Sequence, residues 1–176
     1  MLKNLKAHPL FEAAFVSFIF LIAGILSWIF TISAPYVLPA LMIFYVILVI
    51  NTFFSIKLFS SITPPGNKMN NFIDVILFFL YIISAFYLPV PTFFMLFMLL
   101  LFIVATLKYA CLLQIVRHTR LLKKKIIVDL MGCVMCAVVL IAMILGYENE
   151  AAWGLAIVFA IANFLLFFVW PLYKLD

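Results

Sequence analysis

Three carboxylates stand just inside long apolar runs: Glu12, Asp74 and Asp129. Three lysines, Lys57, Lys108 and Lys174, stand near the ends of later apolar runs. Ionisable groups held at membrane depth are costly unless paired or hydrated, and by default they mark ion or proton handling. Two readings fit the spacing. Acids at helix N-termini and bases at helix C-termini suit the helix dipole alone, with the lysines snorkelling to the interface. The sharper reading is a ring of three acid–base pairs on one membrane face, available for acid–base or ion-handling work.

A second concentration of charge is the stretch 117–125, R-H-T-R-L-L-K-K-K. Its Arg117, Arg120, Lys123, Lys124 and Lys125 are five of the chain's 11 Lys and Arg residues. The three-residue spacing of Arg117, Arg120 and Lys123 resembles a voltage sensor, but a sensor spreads its charges through the membrane. Here they cluster between apolar runs. The expectation is a topology anchor that contacts anionic lipid headgroups, at about 1 kcal/mol per basic residue. Asp129 follows one turn into the next run, with this stretch, Lys108 and Lys174 as its candidate partners.

The elements that must position these groups follow from composition. The 176 residues are 70% hydrophobic and 10% charged, against about 45–50% and about 25% in a soluble domain. Such an excess needs lipid as solvent. The apolar runs are long enough for six spans of roughly 20–23 residues. Proline-containing turns around 33–39 and 88–92, and the G-Y-E-N-E turn at 146–150, are short, so consecutive spans must pair as antiparallel hairpins. The expected fold is all-α and polytopic, with one membrane domain over 1–176 and hairpins at about 10–59, 72–115 and 126–173. The link 60–71, rich in Ser, Pro and Asn, reads as a polar loop.

Every Lys and Arg falls on one side of this layout, whereas the opposite turns carry Glu148 and Glu150. The positive-inside rule then puts both termini in the cytoplasm. The localisation expected is multi-pass in the inner (plasma) membrane. The net charge of +5 is accounted for by topology, so the partners expected are the lipid bilayer, its anionic headgroups, and a second copy or another membrane protein. Nucleic acid is not expected.

The remaining polar residues say less. Cys133 and Cys136 form a C-x-x-C on a helical face, with Met131, Met135 and Met143 nearby. Soft sulfur donors suit Cu(I), but Cys and Met are equally ordinary packing residues, and packing is the expectation. Asn51 and Asn163 lie within spans, where amides usually bond neighbouring helices. Ser27, Ser84 and Thr106 can bond their own backbone. Neither His8 nor His118 lies in a metalloprotease motif, and no nucleophile elbow, P-loop or dinucleotide fingerprint occurs. No catalytic residue, cofactor or metal is therefore expected.

The layout of three short-turn hairpins resembles the HdeD-like acid-resistance membrane protein family. The resemblance is carried by Phe20-Leu-Ile-Ala-Gly-Ile-Leu-Ser27 followed by Ala34-Pro35, with a fainter echo at Asp129-Leu-Met-Gly132. It implies a bacterial stress-related membrane protein. Two functions are carried forward. The first is a non-enzymatic accessory or stress protein. The second is a small transporter or channel using Glu12, Asp74 and Asp129. A polar cavity entering the bundle would favour the second, and a dry bundle the first.

Overall fold

A computed structural model describes residues 9–31, 36–64, 66–116 and 119–169. Six helices are long and apolar enough to cross a membrane. They are α1 (Pro9–Ile29), α2 (Leu38–Ile62), α3 (Lys68–Phe86), α4 (Pro91–Leu113), α5 (Thr119–Ile144) and α6 (Glu148–Phe164). A π-helical segment, Leu165–Val169, extends α6. No strand occurs among the described residues. The protein is an all-α polytopic membrane protein.

Helix is the natural answer to these sequences, because in lipid every backbone N–H and C=O must be paired within the segment. The ends are set by local chemistry. Pro91 opens α4 at a position whose N–H would be unpaired anyway. Asn67 caps α3, its side chain accepting from the Asn70 N–H at 3.3 Å. Gly146 ends α5 with φ of 93°, a left-handed conformation that favours glycine. The N–H of Tyr147 reaches Ala142 O at 3.0 Å and that of Gly146 reaches Met143 O at 3.0 Å, a Schellman closure.

The stretch 119–125 is helical, not a loop. The first two turns of α5 are built from it, and α3 likewise starts at Lys68, inside the expected polar link. The connections at this end are thus shorter than the composition implied, and their polar residues are lifted onto helices.

Extensive packing pairs α1 with α2, α2 with α6, α6 with α5, α5 with α4, α4 with α3, and α3 with α1. The helices therefore form a closed ring in the order 1-2-6-5-4-3. Consecutive helices are antiparallel, so α1 and α3 are parallel neighbours, as are α2 and α6. Three identical hairpins joined head to tail would instead place α2 beside α3 and α6 beside α1. The repeat seen in the sequence does not become a threefold ring.

One half of the bundle interior is dry. Leu38, Leu41, Phe44 and Tyr45 of α2 and Phe94, Met95 and Met98 of α4 are fully buried there. Phe44 packs against Phe159 of α6 with centroids 4.6 Å apart and edge-on to Phe94. Cys136 belongs to the same core, and its thiol is free. The outside is apolar too: Ile127, Leu130, Met131, Val134, Val138, Ile141 and Ile144 make an exposed stripe along α5, which suits acyl chains.

Two glycines permit close helix contacts. A Cβ at Gly24 would lie 2.7 Å from the Tyr45 ring, and one at Gly132 would lie 2.6 Å from the Phe102 ring. Phe102 is buried, and its ring would have to shift. Gly132→Ala is expected to destabilise the bundle by about 1–3 kcal/mol through overpacking of the α4–α5 contact. Gly154→Ala meets nothing within 4 Å and should be neutral or slightly stabilising, since alanine is the better helix former. Thermal unfolding in detergent micelles checks the pair, and equal melting temperatures would refute the close-contact role of Gly132.

Candidate functional site

The other half of the bundle interior is hollow. A cavity of about 330 Å³ lies between α1, α2, α3, α4 and α5, at the end where the basic residues cluster. Its rim includes Glu12, Ser60, Thr63, Gly66 and Asn71, and its wall includes Asn51, Ser55, Asn70, Asp74, Lys108, Lys125 and Asp129. From Glu12 to Phe20 along α1 is about 12 Å at roughly 1.5 Å per residue. The hydrocarbon layer is about 30 Å thick, so the cavity reaches towards mid-depth and stops.

Aromatic rings form its floor. Phe20 of α1 stacks on Tyr81 of α3, with centroids 4.3 Å apart and planes 12° from parallel. The Tyr81 hydroxyl is hydrogen-bonded to the Thr52 hydroxyl. Thr52 donates its own proton to Leu48 O at 2.9 Å, so Tyr81 is the donor of that bond. Below the floor, the Tyr45 hydroxyl donates to Phe20 O at 3.0 Å. Three helices are thereby tied together where the cavity closes.

Two ion pairs stand in the wall. Lys108 of α4 lies 2.5 Å from Asp74 Oδ1 of α3, within the second hairpin. The other Asp74 oxygen accepts from the Asn70 amide at 2.8 Å. Lys125 lies 2.8 Å from Asp129 Oδ1, one turn along α5. Both ammonium groups also approach the face of Tyr109, Lys108 at 5.7 Å and Lys125 at 5.5 Å from its centroid. One ring thus links the two pairs through cation–π attraction.

The pairs differ in environment. In the first, the side chain of Asp74 is 44% exposed. In the second, Lys125 is 5% exposed and Asp129 1%. Asp129 Oδ2 is buried with no hydrogen-bond partner, as are Asn70 Oδ1 and Ser60 Oγ. All three residues line the cavity. A buried acceptor left unpaired costs about 1–3 kcal/mol, more when charged. These atoms are sealed from the cavity space in this conformation, so a donor in the cavity reaches them only when their side chains turn toward it.

Several expectations need correcting. Lys125 does not reach lipid headgroups: it faces inward beside Leu122 and Asp129, while Arg120, Lys123 and Lys124 stay exposed on the opposite face of α5. Helical periodicity separates neighbours in sequence in this way. Asp129 takes its partner from the basic stretch rather than from Lys108. Glu12 and Lys57 form no ion pair, so the ring of three pairs is not formed among the described residues. Lys57 is exposed, and Glu12 is an exposed rim residue. Arg117 and Lys174 lie outside the described residues, as do His8 and His118. Asn163 donates to Phe159 O of its own helix at 2.9 Å, not to a neighbouring one. Ser84 and Thr106 bond their own backbone as expected.

Sequence reasoning did not single out Asn70, Thr52, Tyr81 and Tyr109. The signal for Asn70 was present: with α3 starting at Lys68, Asn70 and Asp74 stand at i and i+4 on one face. Tyr81 and Tyr109 looked like any other aromatic residue of a span. Among the described residues no group of three or more His, Cys, Asp and Glu is arranged to hold a metal ion.

Burial ranks the two pairs energetically. Asp129→Asn would strand the Lys125 charge in the protein interior, at an expected cost of about 3–5 kcal/mol. Asp74→Asn should cost less, about 1–3 kcal/mol, because Asp74 is 44% exposed while Lys108, at 12%, loses a charged acceptor. Replacing both partners, Lys125→Met with Asp129→Leu, should recover most of the loss. Unfolding of the three variants in micelles measures the order, and an Asp74→Asn cost equal to that of Asp129→Asn would contradict it.

Comparison with protein-family models, with curated proteins and with solved structures finds no match for the chain, so the functional argument rests on the site itself.

Proposed function

We propose that this protein is a small multi-pass membrane transporter, and that its solute site is the cavity between α1 and α5. One observation carries the reading. A polar, charge-lined cavity enters one half of a membrane bundle and ends blind on an aromatic floor, while the other half is packed and dry. This is the arrangement expected of a solute site open to one side only. A protein serving purely as a structural or accessory element has no use for two charged pairs at such depth, where each ionised group is costly. Of the two functions carried forward from the sequence, the cavity supports transport.

The side to which the cavity opens follows from charge. Arg120, Lys123, Lys124, Lys57 and Lys68 are exposed at the mouth end, and basic residues are retained in the cytoplasm. The cavity would then face the cytoplasm across the plasma membrane, in an inward-open state. Alternating access would require the floor at Phe20, Thr52 and Tyr81 to part and the mouth to close.

Two measurements test this. In a variant freed of its native cysteines, Ser55→Cys should react with a membrane-impermeant thiol reagent added from the cytoplasmic side. Reaction only from the outside would overturn the orientation. In proteoliposomes, the wild-type protein should accumulate at least one labelled solute from sets of primary amines, organic acids and polyols. The Lys125→Gln, Asp129→Asn double variant should lose that uptake by at least ten-fold. Uptake no greater than in protein-free liposomes for every set would remove the transport reading.

A further inference from the structure

The cavity's unpaired atoms define the chemistry of what it holds. Asp129 Oδ2 and Asn70 Oδ1 can only accept hydrogen bonds. Both belong to side chains more than nine-tenths buried, and both are without a partner. They stand on different helices, α5 and α3, that share the cavity. Of the donors beside them, the Asn70 amide and Lys108 bond Asp74 and Lys125 bonds Asp129; each ammonium keeps further N–H groups, and the Ser60 hydroxyl is unpaired. An incoming anion would meet the carboxylates of Asp74 and Asp129 beside those same lysines. An incoming N–H donor breaks nothing.

Charge and surface point the same way. The cavity is lined by three carboxylates, those of Glu12, Asp74 and Asp129, against the two ammonium groups of Lys108 and Lys125. Three against two leaves one negative charge in excess, so a single positive charge brings the cavity to neutrality. The inner wall is apolar and aromatic, with Phe20, Phe78, Tyr81 and Phe102. A bare alkali cation would need several oxygens closing around it and would leave those rings idle. A volume of about 330 Å³ is at the lower end of the range for small organic ligands, about 300–1,000 Å³.

We infer that the cavity binds a small organic primary ammonium with an apolar or aromatic body, its N–H groups reaching Asp129 Oδ2 as that carboxylate turns toward the cavity, and its body against the Phe20–Tyr81 floor. This deepens the transporter reading and rests on the same cavity. Asn70 Oδ1 offers a second acceptor, and Glu12 at the rim supplies attraction for a cation on its way in.

Tryptamine is a suitable probe, since it joins a primary ammonium to an aromatic body. Labelled tryptamine is expected to bind the detergent-solubilised wild-type protein saturably. Tryptophol, in which a hydroxyl replaces the ammonium, should compete at least ten-fold more weakly, and the anion indole-3-propionate should not compete. These comparisons need no variant. The Lys125→Gln, Asp129→Asn double variant keeps the shape without stranding a charge, and should weaken tryptamine binding at least ten-fold while eluting as the same species in gel filtration. Absence of saturable binding, equal competition by indole-3-propionate, or unchanged affinity in the folded double variant would each overturn the assignment. Tryptamine binding without uptake into proteoliposomes would uphold the ligand class and sink transport. Uptake of an organic acid in place of amines would do the reverse.

Discussion

The Lys125–Asp129 pair sits inside a protein whose solvent is already lipid. Taking two charges away from water costs several kcal/mol per ion even after relaxation. Their attraction offsets this only with good geometry and further hydrogen bonds. Lys125 has both: a carboxylate oxygen at 2.8 Å and the face of Tyr109. Asp129 has half of what it needs, because its second oxygen is unpaired. The packed core cannot supply the remainder, and the hollow half of the bundle lies beside this pair.

The dry half follows from a different constraint. Helices in lipid gain little from the hydrophobic effect and associate through close packing. Here packing is achieved with aromatic rings set against glycine and small side chains, Tyr45 over Gly24 and Phe102 over Gly132. The ring order 1-2-6-5-4-3 brings α2 and α6 side by side, and Phe44 meets Phe159 across them. It also leaves α6 out of the cavity wall. The site is therefore asymmetric, although the sequence reads as three similar hairpins. Acids at matching positions meet different fates. Glu12 reaches the rim, Asp74 pairs across to the neighbouring helix, and Asp129 pairs within its own.

Much of this was legible from residues alone. Lipid as solvent dictates helices, and helix length against membrane thickness gives six of them, although α5 starts at Thr119, two turns before the expected 126. Asp74 and Lys108 were each singled out as groups that pair, though not as partners of one another. What could not be read was the order of helices around the ring. Lateral neighbours are chosen by shape complementarity between apolar faces, and apolar sequence hardly records it. The basic stretch was misjudged for a related reason. Taken as one cluster, its charges look equivalent; on two turns of helix, Lys125 rotates inward with Leu122 and Asp129 while Arg120, Lys123 and Lys124 face out. Charge density in the sequence thus drew attention to the right segment and the wrong surface of it.

The floor of the cavity separates the wet and dry halves with modest interactions. A stacked aromatic pair contributes about 0.5–1.5 kcal/mol beyond its buried area, and the Tyr81–Thr52 hydrogen bond about as much again. No ion pair crosses it among the described residues. Parting Phe20 from Tyr81 is therefore a small step. Opening the layer beneath is not, because Leu41, Phe44, Tyr45 and Phe94 have no polar partner waiting on the far side, and Tyr45 is fastened to α1 through the Phe20 carbonyl. On the transporter reading, rotation of single side chains cannot complete a passage. Whole helices must slide, as in shear-type domain movement. The parallel α1–α3 contact is the natural seam, since Phe20 and Tyr81 join the two across it. A ligand whose apolar body replaces that stack while its ammonium satisfies Asp129 would loosen the seam and hold the charged wall together at the same time.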